Sequence, residues 1–242
     1  MAKFGYIFAF IVGVIVFNSC TQQPEFTSHQ SENFIIRQPE LKKAYGAYLA
    51  GRVAHLRKNF NVAADYYMEA LNEDPENKEL LGRVYVILAS KGRISEAAKY
   101  AEISLKKGDK NNFTYIIMAV DEMKKGRYEQ VNETVGHLDG PVYKEFIIPL
   151  MSAWAYAGLN QPDKALKTLA VLDKEPSFRA LYHFHAGMLN DYFDRTDEAR
   201  RHYEIIVNDE SMEMSFRSLQ VITNFYIRNG EKDKAVQLAT RF

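Results

Sequence analysis

The sequence predicts an all-α fold built from about six consecutive antiparallel helix hairpins, and three observations indicate it. Small residues recur at a fixed spacing of 34 between positions 63 and 199. Apolar residues recur at spacings of three and four, the period of one helix face, as in Val84, Ile87 and Leu88. No segment of useful length alternates apolar and polar residues as a half-buried strand does.

The recurring small residue marks the start of each second helix. It stands at Ala63, Ala97, Val131, Ala165, Ala199 and Ala235, with steps of 34 residues and a last step of 36. Such a period is typical of one supersecondary unit that is stacked many times. The predicted units are about residues 44–77, 78–111, 112–141, 142–179, 180–215 and 216–242, the last one incomplete.

The first unit carries the pattern most completely. Gly51 lies in the middle of its first helix, and Lys58-Asn59 form the turn. Helices that cross closely need a small residue at the contact, so we expect Ala63 to lie against Gly51 and Tyr67 to fill the gap one turn later. Pro75 then closes the unit, because proline cannot continue a helix.

Later units depart from this pattern at identifiable residues. Asp109 stands where the second unit should have its proline, and the third unit ends early, at Gly140-Pro141. Pro149 lies inside an apolar helical run, so we expect the first helix of the fourth unit to kink there or to begin late. Pro141 suits the first position of a longer, kinked helix.

Small residues and aromatics at these places, followed by proline, resemble the tetratricopeptide repeat family over about residues 42–242. The resemblance implies a right-handed α-solenoid in which the first helix of each hairpin lines a concave face. It implies a protein-binding module and does not identify the ligand. Carried over position by position, it predicts a groove lined by Tyr48, Arg52, Val86, Ile116, Val120, Leu150, Trp154, Phe184, Met188, Tyr192 and Asn224.

Two interpretations of this groove stay open. Its middle is apolar and aromatic, which is typical of a surface that binds a peptide or a helix, with Trp154, Phe184, Met188 and Tyr192 as anchors. Alternatively, a degenerate array curls tightly and uses the same side chains as its own core.

The first twenty residues predict a membrane connection. Lys3 precedes an uncharged apolar stretch, residues 4–17, which has the length of a signal-peptide core and is shorter than the ~20 residues of a membrane-spanning helix. Ser19-Cys20 resembles the end of the lipobox of bacterial lipoproteins, which implies lipidation of Cys20. An uncleaved membrane anchor is the alternative. Residues 21–41 follow as a polar tether.

Both interpretations place the rest of the chain on the extracytoplasmic, periplasmic side of a bacterial membrane, since the positive end is the N-terminus. Thr21 after Cys20, rather than Asp, favours the outer membrane by resemblance to lipoprotein sorting. The predicted function is therefore a non-catalytic protein-binding scaffold of the cell envelope. A holdase-like chaperone for unfolded chains is the alternative.

Composition and spacing predict no nucleic-acid partner and no catalytic, cofactor or metal site. The 31 Lys and Arg residues balance 31 Asp and Glu residues, whereas phosphate binding needs a basic excess. Cys20 is the one cysteine, so neither an intramolecular disulfide nor a thiolate zinc site can form. His183 and His185 are two apart in a predicted helix and therefore point to different faces. His202 and Asp191 have no spacing that would pair them.

The sequence ends inside the second helix of the sixth unit, although a solenoid needs a solvated outer face at its end. We therefore expect either self-association, with a second copy covering Leu238 and Phe242, or a chain that is the front part of a longer multi-domain protein. Bacterial proteins with this layout often carry more repeats, which favours the second expectation.

Overall fold

A computed structural model describes residues 39–209, 211–212 and 214–241. The predicted signal or anchor segment (residues 1–20), with Cys20, most of the tether and Phe242 lie outside the described residues. Every regular element within them is helical, which confirms the all-α prediction. None of the described helices combines the length and the apolar character that crossing a bilayer requires.

Twelve α-helices follow one another as antiparallel hairpins in the described part of the chain. The hairpins are α1 (Pro39–Leu56) with α2 (Phe60–Glu73), α3 (Lys78–Ser90) with α4 (Ile94–Lys106), α5 (Asn112–Lys124) with α6 (Tyr128–Val135), α7 (Ile148–Gly158) with α8 (Pro162–Leu169), α9 (Arg179–Tyr192) with α10 (Thr196–Asn208), and α11 (Phe216–Arg228) with α12 (Lys232–Arg241). A π-helical segment (Tyr143–Ile147) precedes α7, and two 3₁₀ segments (Ala170–Lys174 and Pro176–Phe178) follow α8.

The chain forms two compact units. One contains α1 to α10, and in it each second helix also packs on the first helix of the next hairpin. These contacts make a continuous array of five hairpins, in which every hairpin buries surface against its neighbour. The other unit contains α11 and α12, which pack on each other.

One residue in the turn of each hairpin has left-handed backbone, and it recurs with the predicted period. The φ angle is positive at Lys58, Gly92, Gly126, Asn160, Asp194 and Gly230, with values from 56° to 79°. The N–H of the next residue donates to a carbonyl five residues earlier, as Arg93 does to Leu88 at 2.9 Å. This bond caps the carbonyl end of the helix, so the turn is the same local device in each hairpin.

The residues that define the period are all buried. Each keeps 3% or less of its surface exposed: Ala63, Ala97, Val131, Ala165, Ala199 and Ala235. Tyr67 takes the space beside Gly51, because a Cβ at Gly51 would meet its ring first, at 2.7 Å from Cδ1 and Cε1. The Tyr67 ring therefore requires a residue as small as glycine at position 51.

Each of the five hairpins of the array combines a small residue with a larger one at two buried positions 16 residues apart, one on each helix. The pairs are Gly51 with Tyr67, Tyr85 with Ala101, Ala119 with Val135, Ala153 with Leu169, and Gly187 with Tyr203. In the second hairpin the large residue lies on the first helix instead of the second. A close-packed interior tolerates exchanges best when the total volume of the two side chains is conserved. Each pair therefore keeps one small and one larger residue, while the residue types vary.

A polar network replaces the missing proline at Asp109. The Asp109 carboxylate accepts hydrogen bonds from Tyr85 Oη (3.2 Å), Ser104 Oγ (2.9 Å) and Asn111 Nδ2 (2.7 Å and 2.8 Å). Burial opposes its charge, but the hydrogen bonds from Ser104, Asn111 and Tyr85 hold the pKa of Asp109 below its ordinary value. The junction between the second and third hairpins is thus fixed by hydrogen bonds rather than by a rigid ring.

The irregularity predicted around Pro149 is present. The helical stretch begins at Pro141, passes through the π-helical segment and continues as α7, in which Pro149 is the second residue. Proline has no N–H to donate to the preceding turn, and the wider π turn accommodates this.

One premise of the expected self-association needs correction, whereas self-association itself stays a prediction. Leu238 on α12 keeps only 3% of its surface exposed, so its side chain is already covered by this chain. A second copy is not needed to bury it.

Candidate functional site

The predicted groove residues all lie on the first helices of hairpins. They are Tyr48 and Arg52 on α1, Val86 on α3, Ile116 and Val120 on α5, Leu150 and Trp154 on α7, Phe184, Met188 and Tyr192 on α9, and Asn224 on α11 in the other unit. Arg52, Tyr192 and Asn224 are exposed, and the others are half-buried. The half-buried members therefore present one side to the core and another to solvent. We call the ten members on α1 to α9 the inner row.

The inner row is attached to the core along its length. Tyr48 and Val86 pack against the buried cluster of the first two hairpins, and Ile116 packs against the cluster around Val131 and Val135. Leu150 and Trp154 pack against the cluster of the fourth and fifth hairpins. This packing restricts their rotamers, so the exposed side of the row is a defined surface.

Trp154 is held in place by a histidine of the next hairpin. Its Nε1 donates a hydrogen bond to Nδ1 of His185 at 3.0 Å, and the two rings meet nearly edge-on at 77°. The ring of Phe184 lies 5.4 Å from that of His185, also edge-on. One imidazole thus connects an anchor on α7 with an anchor on α9.

The protonation state of His185 suits this role. Burial lowers its pKa to about 4, so the imidazole is neutral at neutral pH and its Nδ1 can accept the indole N–H. An indole fixed before binding loses less conformational freedom when a ligand packs on it.

The α1 and α3 end of the inner row is polar and basic. Arg83 donates to Glu79 at 2.7 Å, and its guanidinium lies 6.0 Å from the ring centre of Tyr48, whose hydroxyl donates to Glu79 at 3.4 Å. The hydrogen bond from Arg83 lowers the pKa of Glu79. Burial, with Arg83 and Arg52, lowers the pKa of His55 below its ordinary value. The positive charge at this end therefore resides on arginine.

The other end of the row is the most exposed. Tyr192, on the last turn of α9, keeps 63% of its surface open, and its ring stacks edge-on with Phe193 at 5.0 Å. This tyrosine is available for contact without any rearrangement of the core.

The histidines near the row have separate partners. His183 and His185 do point in different directions, as predicted, because His183 faces α10 while His185 faces α7. His202 has a partner that spacing within one helix does not indicate: its Nδ1 lies 2.9 Å from Nδ1 of His183, and the Tyr182 ring packs on both imidazoles. Among the described residues no group of three His, Cys, Asp or Glu side chains converges as a metal site.

Sequence reasoning missed His185, Glu79 and Arg83 as parts of this surface. A signal for two of them exists, since Trp154 to His185 and Tyr48 to Glu79 are both 31 residues apart. A spacing of 31 is the 34-residue period minus three residues, and three residues are nearly one helical turn. It therefore brings together side chains on the first helices of successive hairpins. Spacings within one helix cannot reveal it.

Comparison with known proteins gives structural similarity only. No protein-family profile matches the sequence, and no curated protein matches it. A tetratricopeptide repeat protein from Parabacteroides merdae is similar at TM-score 0.61 and 15% identity, over 83% of this chain and 78% of that one. PilW, a type IV pilus biogenesis factor, is similar at 0.59 and 13% identity, over 82% and 91%.

A third similar structure carries a ligand-binding description. YrrB, a tetratricopeptide repeat protein with an unusual peptide-binding site, has TM-score 0.53 and 15% identity, over 66% of this chain and 83% of that one. Sequence identities this low relate folds rather than functions.

Proposed function

From the tetratricopeptide repeat fold of this chain, we propose that the protein is a non-catalytic binding scaffold of the bacterial cell envelope. The inner row is its binding surface, and the ligand is a peptide or a helix of a partner protein. The N-terminal segment ties the scaffold to the membrane, through a lipid on Cys20 or as an uncleaved anchor, and keeps it on the periplasmic side.

The observation that carries this proposal is the fixed, half-open row of apolar side chains. A core residue would be closed on all sides, and an ordinary surface residue would be free to move. Trp154 is neither, because His185 holds its indole while part of the ring stays open. Aromatic residues fixed in this way are the ones that contribute most to binding energy in protein interfaces.

Similar structures support a ligand of this class. YrrB is described as having a peptide-binding site, and PilW as a factor in the assembly of a pilus. A peptide or helix laid along successive first helices would contact Ile116, Leu150 and Trp154 through apolar side chains and Arg52 through charge.

Tryptophan fluorescence offers a direct test, because Trp154 is the one tryptophan in the chain. Proteins captured from envelope extract on the full chain would be identified, and peptides from them titrated against the purified protein. We expect a blue shift of the Trp154 emission on binding, since the ligand removes water from the indole.

Variants separate the row from the rest of the surface. Tyr192→Ala should weaken binding about tenfold, because an aromatic anchor at a protein interface contributes on the order of 1–2 kcal/mol. Ile205→Ala on α10 is the matched control, an exposed apolar side chain on a second helix. Equal loss in both variants, or binding without any change in emission, would contradict a site on the inner row.

A second candidate is a holdase-like chaperone for unfolded chains, and the apolar middle of the row favours it. Suppression of the aggregation of an unrelated client, reduced by Tyr192→Ala, would support this function. No suppression at equimolar protein would exclude it.

The membrane connection has its own test. Lipid labelling of the full chain in cells should be lost in Cys20→Ser if that cysteine is lipidated. Retained label in the variant would contradict lipidation at Cys20, and an unlabelled but membrane-bound wild type would favour the uncleaved anchor.

A further inference from the structure

Helix α1 has two apolar faces, and only one of them is buried. One face packs against α2 through small residues, namely Ala44, Ala47, Gly51 and Ala54. On the opposite side the exposed fraction of the large apolar side chains is 55% for Tyr45, 60% for Leu49, 47% for Val53 and 76% for Leu56. These four residues, which we call the outer stripe, occupy about 80° of the helix circumference.

The apolar residues of the outer stripe are distinct from the inner row, and only Arg52, on the edge nearer Tyr48, belongs to both surfaces. Tyr48, the residue of α1 that contacts Glu79 and Arg83 of α3, lies about 100° around the helix from the centre of the stripe. In a hairpin array the first helix normally buries such a face against a preceding hairpin. No residue in the described ranges covers it here, so a contiguous apolar surface remains open at the α1 end of the array.

The charges beside the outer stripe define what fits on it. Arg52 lies along one edge, at a position fixed by the helical period. Arg57, the first residue of the turn after α1, lies towards the other edge, because its N–H still donates to the Val53 carbonyl at 3.1 Å. Residues 43–58 contain no Asp or Glu. Lys43 pairs with Glu73 of α2, whereas Arg52, Arg57 and Lys58 form no ion pair with any residue the structure describes. The stripe is therefore an apolar surface with positive charge on both edges.

This charge pattern disfavours a second copy as the occupant. Two antiparallel α1 helices related by a two-fold axis would place each arginine edge beside the same edge of the other copy. Like charges opposed in this way cost binding energy. A helix with an apolar stripe and carboxylates on both edges would instead neutralise Arg52 and Arg57 while covering Leu49 and Val53.

We propose that the outer stripe is a docking surface for an amphipathic helix of another protein, one whose apolar face is flanked by Glu or Asp. It is a second interaction surface, which shares only Arg52 with the inner row and does not rest on the function proposed for that row. Its small neighbour Gly46 has open space around it, because a Cβ there would meet nothing within 4 Å. A partner helix can therefore approach closely on that side.

Two synthetic peptides test this proposal on the full chain. Both are 18 residues long, the length of α1, with Leu at helical spacings of three and four. One carries Glu on both flanks and the other carries Lys. Fluorescence anisotropy of the labelled peptides should give a dissociation constant about tenfold lower for the Glu peptide.

Substitutions locate the binding. Leu49→Ser/Val53→Ser should weaken binding of the Glu peptide about tenfold by removing apolar contact. Arg57→Glu should reduce the difference in affinity between the Glu peptide and the Lys peptide. Gly46→Gln should weaken binding by obstruction without loss of helicity. Ile205→Ser, a matched exposed position on α10, and Tyr192→Ala on the inner row should leave the affinity unchanged. A loss of affinity for the Glu peptide in Tyr192→Ala alone would place the binding on the inner row and overturn the proposal for the outer stripe.

Other outcomes would also overturn the proposal. Equal affinity for the two peptides would show that charge plays no part. A dimer in sedimentation that Leu49→Ser/Val53→Ser dissociates would identify a second copy as the occupant. Phe34 and Ile36 are apolar residues of the predicted tether. Peptide binding that appears only in Phe34→Ser/Ile36→Ser would identify that segment of this chain as the occupant.

Discussion

Gly51 allows the packing of the first hairpin to be tested against a control in the same helix. Gly51→Ala would place a Cβ 2.7 Å from Cδ1 and Cε1 of Tyr67 and 3.2 Å from its Cγ. Carbon atoms at rest lie about 3.5–4.0 Å apart, so the overlap is close to 1 Å. Tyr67 has no exposed surface and therefore no space into which its ring can move.

The magnitude follows from two opposing effects. Replacing a helical glycine by alanine raises the free energy of unfolding by about 1 kcal/mol. Overpacking a closed core lowers it by about 1–3 kcal/mol, and the contact with three ring atoms favours the upper half of that range. We expect Gly51→Ala to be destabilised by about 1–2 kcal/mol. Gly46→Ala, which meets nothing within 4 Å, should be stabilised by up to about 1 kcal/mol.

Urea unfolding followed by far-UV circular dichroism measures the difference, which should be about 2–3 kcal/mol between the two variants. Gly187→Ala, where the Cβ would lie 2.4 Å from Cε1 of Tyr203, should be less stable still, and Gly82→Ala provides a second control in open space. A Gly51→Ala protein as stable as Gly46→Ala would refute the reasoning that Tyr67 sets the size of residue 51.

Three further outcomes can be measured in the same way. Because burial lowers the pKa of His185 to about 4, against ~6.5 when unfolded, its contribution is complete above pH 6.5 and is lost as pH falls towards 4. Between pH 7 and pH 5 the wild type should lose about 2 kcal/mol more than His185→Asn, and parallel pH profiles would contradict this. Asp109→Ala should lower the free energy of unfolding by about 1–3 kcal/mol, because the hydroxyl of Tyr85 loses its acceptor, whereas an unchanged urea midpoint would contradict the role of that network. Lys58→Gly should raise the free energy of unfolding by up to about 1 kcal/mol, and with it the melting temperature. The reason is that Lys58 has a φ of 57°, a backbone conformation that glycine adopts without strain. A lower melting temperature would show that the lysine side chain matters more than its backbone.

The fold was predictable because the period records a purely local requirement. Every hairpin needs a buried small residue where its helices cross and a left-handed residue in its turn, and both needs recur in the sequence at Ala63 and Lys58 and their equivalents. The period survives even where the residue type changes, as at Val131. Spacing alone therefore identified the hairpins.

The site was less predictable because it depends on contacts between hairpins. The inner row follows from the helical period, but the bond from Trp154 to His185 depends on how α7 and α9 lie relative to each other. Similarly, Tyr85 stands one 34-residue period after Gly51. A large residue is tolerated there because the position 16 residues later holds the small Ala101 in the same buried cluster. Composition and periodicity contain no information on which residue of a pair will be the larger one.

The small and large residues shared between the two helices of each hairpin have a consequence for protein engineering and for recombination. A helix from the first hairpin cannot be joined to its counterpart from the second without loss. Gly51 opposite Ala101 would leave a void, and Tyr85 opposite Tyr67 would overfill the same space. Exchange of genetic segments should therefore succeed when the crossover lies between hairpins and fail when it lies in the turn at Lys58 or Gly92. The smallest segment of this protein that can be exchanged without loss of packing is therefore the whole hairpin.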